Sequence, residues 1–413
     1  MHKEAVLILV IVLVLSSTVF AQEAPFGPLR ELHPPVGEGS GMPFLHATPD
    51  HDLLLSWIEP GKSRKHALRF ARYGTNGWTE AQTIVDGDDF FTNWADVPSI
   101  VQLRDGRLVA HWLKKSGPST YAYDVNLKVS TDRGRSWSAT MMPHHDGTQT
   151  EHGFVSIFDS KMFGAGLVWL DGRAMAKQHA SNHDSHGDGG DMSIRATFLS
   201  PSNSFVKDAL LDPRTCECCP TAAVATDRGI LVAYRDRSED EIRDIALLRY
   251  ENGVWSAPKI IHADNWNISG CPVNGPALAT DGKNVVLAWF TAPNAEPKVY
   301  VAFSSDEGIT FGNPIRVDEG KPLGRLDVEM LPDGSAIALW IEYGEEATRL
   351  LARHIPKDGQ PGSVRVISQI SAERASGYPR IARVGNELYF AWTDLTGGKR
   401  IKMVSASLST LSK

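Results

Sequence analysis

The sequence predicts an all-β fold, a β-propeller of four-stranded blades, and two observations carry the prediction. One is a repeat of an apolar strand, a polar turn and a second apolar strand ending in an aromatic residue. The other is the lack of any amphipathic helix of useful length. The repeat starts at Pro43, Pro98, Phe154, Pro220, Pro276, Val328 and Pro379. The matching aromatics are Trp57, Trp112, Trp169, Tyr234, Trp289, Trp340 and Trp392, so start and aromatic lie 14, 14, 15, 14, 13, 12 and 13 residues apart. Successive starts are 55, 56, 66, 56, 52 and 51 residues apart, a period that fits one propeller blade.

Within each unit the first two strands are rich in Val, Ile, Leu and Ala, as strands buried on both faces require. Third strands such as Val125 to Val129 and Val299 to Phe303 follow a variable loop. Fourth strands such as Thr83 to Val85 and Pro314 to Val317 follow a tight turn. The last unit ends one strand short, after Ile401 to Ser405. Leu29 to Leu32 precedes the first unit and belongs to none. The expectation is that this N-terminal strand completes the last blade and leaves the ring no open edge.

Residues 1–21 read as a signal peptide. Lys3 precedes the apolar run Ala5 to Leu15, and Val19-Phe20-Ala21 fits a signal-peptidase site. Residues 22–413 then form one propeller domain, secreted or periplasmic, with no membrane span after cleavage. A net charge of −7 with both signs interspersed lacks the clustered Lys and Arg of a nucleic-acid partner.

Two turns share a motif. Ser130-Thr131-Asp132-Arg133-Gly134-Arg135-Ser136-Trp137 and Ser304-Ser305-Asp306-Glu307-Gly308-Ile309-Thr310-Phe311 both fit Ser-x-Asp-x-Gly-x-(Ser/Thr)-(Trp/Phe), at the same point of the second and fifth units. Asp accepts backbone N–H groups across the turn, Gly supplies a positive φ, and the aromatic packs beneath. This is the Asp-box (BNR) repeat, and the mature chain resembles the sialidase-like propeller superfamily. That resemblance implies six blades, where the repeat count gives seven, and it implies a site on the face opposite the Asp-boxes.

The entries to the first strands and the exits from the second strands surround that other mouth of the channel. Polar residues gather there: Asp96, Glu151 and His152 before the starts, Glu59, Asp171, Arg173, Arg235, Asp236, Arg237, Glu342 and Asp394 after the aromatics, and Arg380 just inside its strand. Ordinary polar loops explain each residue singly, whereas the cluster reads as a binding face. The sialidase resemblance implies three Arg on a substrate carboxylate, a Tyr nucleophile and a carboxylic acid/base. Arg173, Arg235, Arg237 and Arg380 are then the candidate guanidinium groups, with His152 beside them. Tyr378 is the candidate phenol, and Asp96, Asp171 and Asp236 are the candidate carboxylates. Ser40-Gly41-Met42-Pro43 departs from the family at the first blade, where an Arg is expected.

The four cysteines, Cys216, Cys218, Cys219 and Cys271, precede the starts of neighbouring units. In an exported chain they suggest disulfides, one of them joining the two segments. With His179, His183 and His186 of the long loop after Trp169, they also suit Cu or Zn. Three functions follow: a propeller that binds or hydrolyses an extracellular glycan or small-molecule ligand, a metal-binding or redox propeller, and a non-catalytic protein-binding scaffold.

Overall fold

The computed structural model describes residues 26–61, 65–160, 163–177 and 190–408. They form seven antiparallel sheets arranged as propeller blades. The seven innermost strands are Gly41–Ala47, Ser99–Gln102, His152–Ser160, Ala222–Ala225, Ala277–Thr280, Lys321–Met330 and Arg380–Val384. They surround a central cavity of about 440 Å3. The repeat count of seven therefore holds, and six does not. Blade 2 pairs only three full strands, Ser99–Gln102, Leu108–Lys115 and Tyr123–Ser130. Its outer edge is reduced to a single bridge between Leu127 and Met141.

The ring closes as its strand inventory requires. Arg30–Leu32 pairs antiparallel with the last strand, with Arg30 opposite Ser405 and Leu32 opposite Met403. Just before it, Phe26 is 2% exposed and packs on Phe390 with ring centroids 5.8 Å apart. Its carbonyl accepts a hydrogen bond from Arg365 Nη1 at 2.6 Å.

The aromatics that mark the repeat are buried between blades, from Trp57 at 0% to Trp392 at 3% exposure. An indole N–H in such a place needs an acceptor. In three blades the acceptor is the carboxylate two residues on, which points to the same face of the strand. Trp57 Nε1 donates to Glu59 at 2.9 Å, Trp169 Nε1 to Asp171 at 2.8 Å, and Trp340 Nε1 to Glu342 at 2.9 Å. These acids at the strand exits thus serve the core.

The two Ser-x-Asp-x-Gly turns share one hydrogen-bond pattern. Asp132 Oδ1 accepts from Ser136 N at 2.9 Å, and Asp306 Oδ1 accepts from Thr310 N at 2.9 Å. Gly134 and Gly308 have φ of +89° and +76°, where a side chain would also strike Phe70 and Leu231 of the preceding blade. Among the described residues no helix is long and apolar enough to cross a membrane. The leader expected over residues 1–21 lies outside the described residues.

Truncating Phe26 tests the closure. Phe26→Ala should cost about 3–5 kcal/mol in urea-induced unfolding, the usual range for a buried Phe. A loss well under about 1 kcal/mol would mean that the N-terminal segment contributes little to the ring.

Candidate functional site at the channel mouth

Three inner strands enter the ring through a bulge placed on a Gly-x pair. The register slips after Gly41, Gly153 and Gly324, and the next residues, Met42, Phe154 and Arg325, have φ of 59°, 53° and 49°. Left-handed backbone at such residues is strained and is kept where surrounding structure over-determines it. Here the bulges aim backbone N–H groups at side chains of the mouth. Phe154 N donates to Asp96 Oδ1 at 2.8 Å, and Arg325 N donates to Asn274 Oδ1 at 2.7 Å.

Asp96 borders the cavity and is 1% exposed. Tyr123 OH donates to Glu151 Oε1 at 2.6 Å and stands 3.4 Å from Asp96 Oδ2. Burial pushes the Asp96 carboxyl up to about 8, against the pull of the Phe154 N–H and with the Glu151 charge adding to the rise. Burial likewise raises Glu151 to about 7, and the charges of Glu217 and Cys216 add to it. Asp96, Tyr123 and Glu151 therefore form a buried set able to hold and exchange a proton near neutral pH. Tyr123, which no sequence motif marks, begins the third strand of blade 2 and stacks on Phe91 at 3.8 Å.

Beside this set lies a buried ionic cage. The His144 and His152 rings stack 4.0 Å apart. Asp146 Oδ2 lies 3.2 Å from both His144 Nδ1 and His152 Nε2, and Asp124 Oδ1 is 3.5 Å from His152 Nδ1. Burial alone would neutralise these groups. The neighbouring carboxylates, Asp146 foremost, instead hold the His152 imidazole above its ordinary value, and the two histidines hold Asp146 far below the usual carboxylate range. Arg173 supplies the remaining cation: Nε and Nη2 reach Asp171 at 2.7 and 2.6 Å, and Nη2 lies 3.2 Å from Asp208.

This geometry sorts the residues named from sequence. Asp171 is fully buried between Trp169 and Arg173, and His152 is equally buried, so neither presents an atom to the cavity. Arg235 is 1% exposed. Its Nε, Nη1 and Nη2 donate to the carbonyls of Asn274, Arg243 and Phe290 at 2.8, 2.6 and 2.6 Å. Arg237 pairs with Glu217 and with Glu241, the latter at 2.6 Å. Asp236 Oδ1 accepts from the Arg237 N–H at 2.7 Å, and burial raises its carboxyl to about 6. Tyr378 is 3% exposed, and its OH donates to the Val273 carbonyl at 2.6 Å.

Arg380 differs. It lines the cavity with Asp96 and Tyr378. Its Nε is buried without a hydrogen-bond partner, and its guanidinium lies 5.4 Å over Phe44 and 5.9 Å from the Tyr378 ring. Alone of the four arginines it has neither a carbonyl nor a carboxylate in hydrogen-bond or ion-pair reach among the described residues. The facing Asp327 carboxylate feels its charge, but accepts instead from the backbone N–H groups of Val328 and Ile381.

The cysteines gather one blade away. Cys216, Cys218 and Cys219 place their sulfurs within 4.8 Å of one another. Cys216 Sγ is 2.7 Å from Cys219 Sγ and 3.9 Å from Cys218 Sγ. None of the four cysteines is bridged in this structure. The expected bridge between the two segments is therefore absent: Cys216 faces its own segment, at a separation longer than the 2.03–2.05 Å of a disulfide. His179, His183 and His186 lie outside the described residues.

The fold defines the class: a seven-bladed β-propeller of antiparallel blades, most of them with four strands or more. No protein-family model and no curated protein sequence matches the chain. Among solved structures it is similar to a protein of unknown function from Dyadobacter fermentans DSM 18053, at 15% identity over 92% of this chain and 99% of that one, with a TM-score of 0.52. It is similar also to the polysaccharide lyase Uly1, at 10% identity over 87% and 88% of the two chains and a TM-score of 0.52. The Hadza microbial sialidase Hz136 matches at 12% identity over 84% and 74% of the chains, with a TM-score of 0.49. At these identities the likeness is one of fold.

Two outcomes follow from the buried charges. The folded state takes up a proton at Asp96 between the ordinary carboxylate range and about pH 8, so stability falls as pH rises through that window. Asp96→Asn should flatten this slope, leaving stability at pH 4 nearly unchanged and raising it at pH 8, read by urea unfolding at both values. Arg235→Ala leaves three buried carbonyls without their donor and should lower stability by about 3 kcal/mol or more in the same assay.

Proposed function

We propose that the channel mouth binds a carboxylate-bearing saccharide and acts on it, with Arg380 as the anion anchor and Asp96, Tyr123 and Glu151 as the proton-transfer set. One observation carries the reading. Arg380 points a guanidinium without a fixed partner into the same cavity that Asp96 borders. A planar fork of N–H donors lining a cavity favours a carboxylate ligand, which it can hold with two parallel hydrogen bonds. Phe44 and Tyr378 flank the guanidinium.

The carboxyl groups supply the chemistry. A carboxyl kept protonated near neutral pH is what a general acid at a glycosidic oxygen requires, and its burial against Phe154 and Tyr123 gives Asp96 that property. Glu151, hydrogen-bonded to the Tyr123 phenol, is the second carboxylate of the set. Glycan-active proteins, among them polysaccharide lyase Uly1, share the fold. That supports a glycan ligand at the level of the architecture, and the choice of an acidic one rests on Arg380.

The test uses the intact protein on a panel of uronic-acid, sialic-acid and neutral oligosaccharides. Acidic members should bind, and Arg380→Gln should weaken that binding about 10- to 100-fold, the loss of one charge-assisted pair. Asp96→Asn should retain binding while abolishing turnover. Equal binding of neutral and acidic sugars, or binding indifferent to Arg380→Gln, would sink the proposal.

A further inference from the structure

We propose that Cys216, Cys218 and Cys219, with Cys271 beside them, form a binding site for one soft d10 metal ion, Cu(I) or Zn(II), in the wall of the channel mouth. The site is independent of Arg380 and of the saccharide reading.

The geometry argues first. Three sulfurs of one short turn converge within 4.8 Å, and Cys271 of the neighbouring entry loop is near enough to act on the Cys218 thiol. Two thiolates about 2.3 Å from one ion stand about 3.8–4.0 Å apart. Cys216 and Cys218 already stand at 3.9 Å. Cys216 and Cys219, at 2.7 Å, would part by about 1 Å to share an ion, within reach of small side-chain rotations in a turn.

The charges argue next. Arg243 is buried and directs Nη1 at Cys216 Sγ from 3.4 Å. A guanidinium N–H aimed at a buried sulfur is well used by a thiolate and poorly used by a neutral disulfide. The Arg235 charge also acts on Cys216. Arg243, which also pairs with Glu217 at 2.7 Å and Glu241 at 2.9 Å, and Arg235 offset part of the negative charge that a multi-thiolate site retains after binding a monovalent or divalent ion. Thiolate ligands select soft ions over the hard cations that carboxylates prefer, and binding releases the remaining thiol protons to solvent.

The location gives the site consequences. The thiols lie beside the mouth, since Cys218 packs against the buried cluster that holds Ala95, Phe154 and Tyr378. An occupied site would fix the loop from which Pro220 and Thr221 enter the cavity wall.

The experiment is a titration of the reduced, metal-free protein, without oxygen, using Cu(I) and Zn(II) separately against a competing chromophoric chelator. One ion per chain is expected, with thiolate-to-metal charge-transfer absorption in the ultraviolet. Cys218→Ser should weaken binding by more than about tenfold. Cys271→Ser distinguishes the ions: a four-thiolate Zn(II) site loses affinity, whereas a three-thiolate Cu(I) site keeps it. Should Cys218→Ser fail to fold, alkylation of the wild-type thiols decides instead: one equivalent of either ion should protect them, and unprotected thiols overturn the inference. Arg380→Gln should bind the ion as the wild type does, so failure of the saccharide reading leaves this one standing. The inference is overturned if the non-reduced protein carries a Cys216–Cys219 bridge by mass spectrometry and the reduced protein binds neither ion. Equal affinity of wild type and Cys218→Ser overturns it too.

Discussion

The pairing of Arg30–Leu32 with Met403–Ser405 joins the two ends of the described chain in one blade, and every inner strand depends on it. Seven blades that pack side by side hold one another at fixed angles only when the circle is complete. The entry loops of those blades carry Asp96, Glu151, the thiols and Arg380, from positions hundreds of residues apart. Their convergence on one mouth is thus a property of the closed ring. Phe26, wedged against Phe390 and held through its carbonyl by Arg365, extends the same closure by a few residues.

Around that ring, most buried charge is already spoken for. The acids that follow Trp57, Trp169 and Trp340 take the indole protons. Arg173 is fixed in the cage of Asp171, Asp146 and the two stacked histidines, and Arg235 is spent on three carbonyls. A charge left in such an interior without a partner is costly, so natural proteins keep few of them. That is why one uncommitted guanidinium, Arg380, says more than the dozen polar residues around it. Arg243 differs again: paired with Glu217 and Glu241, it still turns one N–H toward the Cys216 sulfur.

The carboxyls of the mouth and the thiols form one electrostatic neighbourhood. Glu151 is raised partly by Cys216 and Glu217, and Tyr378 partly by Cys219. The carboxyls of the mouth thus feel the charge of their cysteine neighbours. In this fold such coupling needs no moving part, because the groups hang from adjacent, rigidly paired strands.

The sequence alone determined the repeat count of seven and the closing strand. Each of these is local: strand alternation, a buried aromatic at a fixed interval and a Gly-dependent turn are written within some fifteen residues. The spacing Trp-x-acid was also there to be read, because residues two apart in a strand share a face, and it would have marked Asp171 as a core acceptor. Only the tertiary structure decided which polar residues remain available. Decisive partners of Tyr123 and Arg235 come from other strands or other blades, 27 residues away for Tyr123 with Asp96 and 39 for Arg235 with Asn274. Whether a buried charge is neutralised depends on distances of a few ångströms across that gap, which ring closure sets and no local pattern encodes.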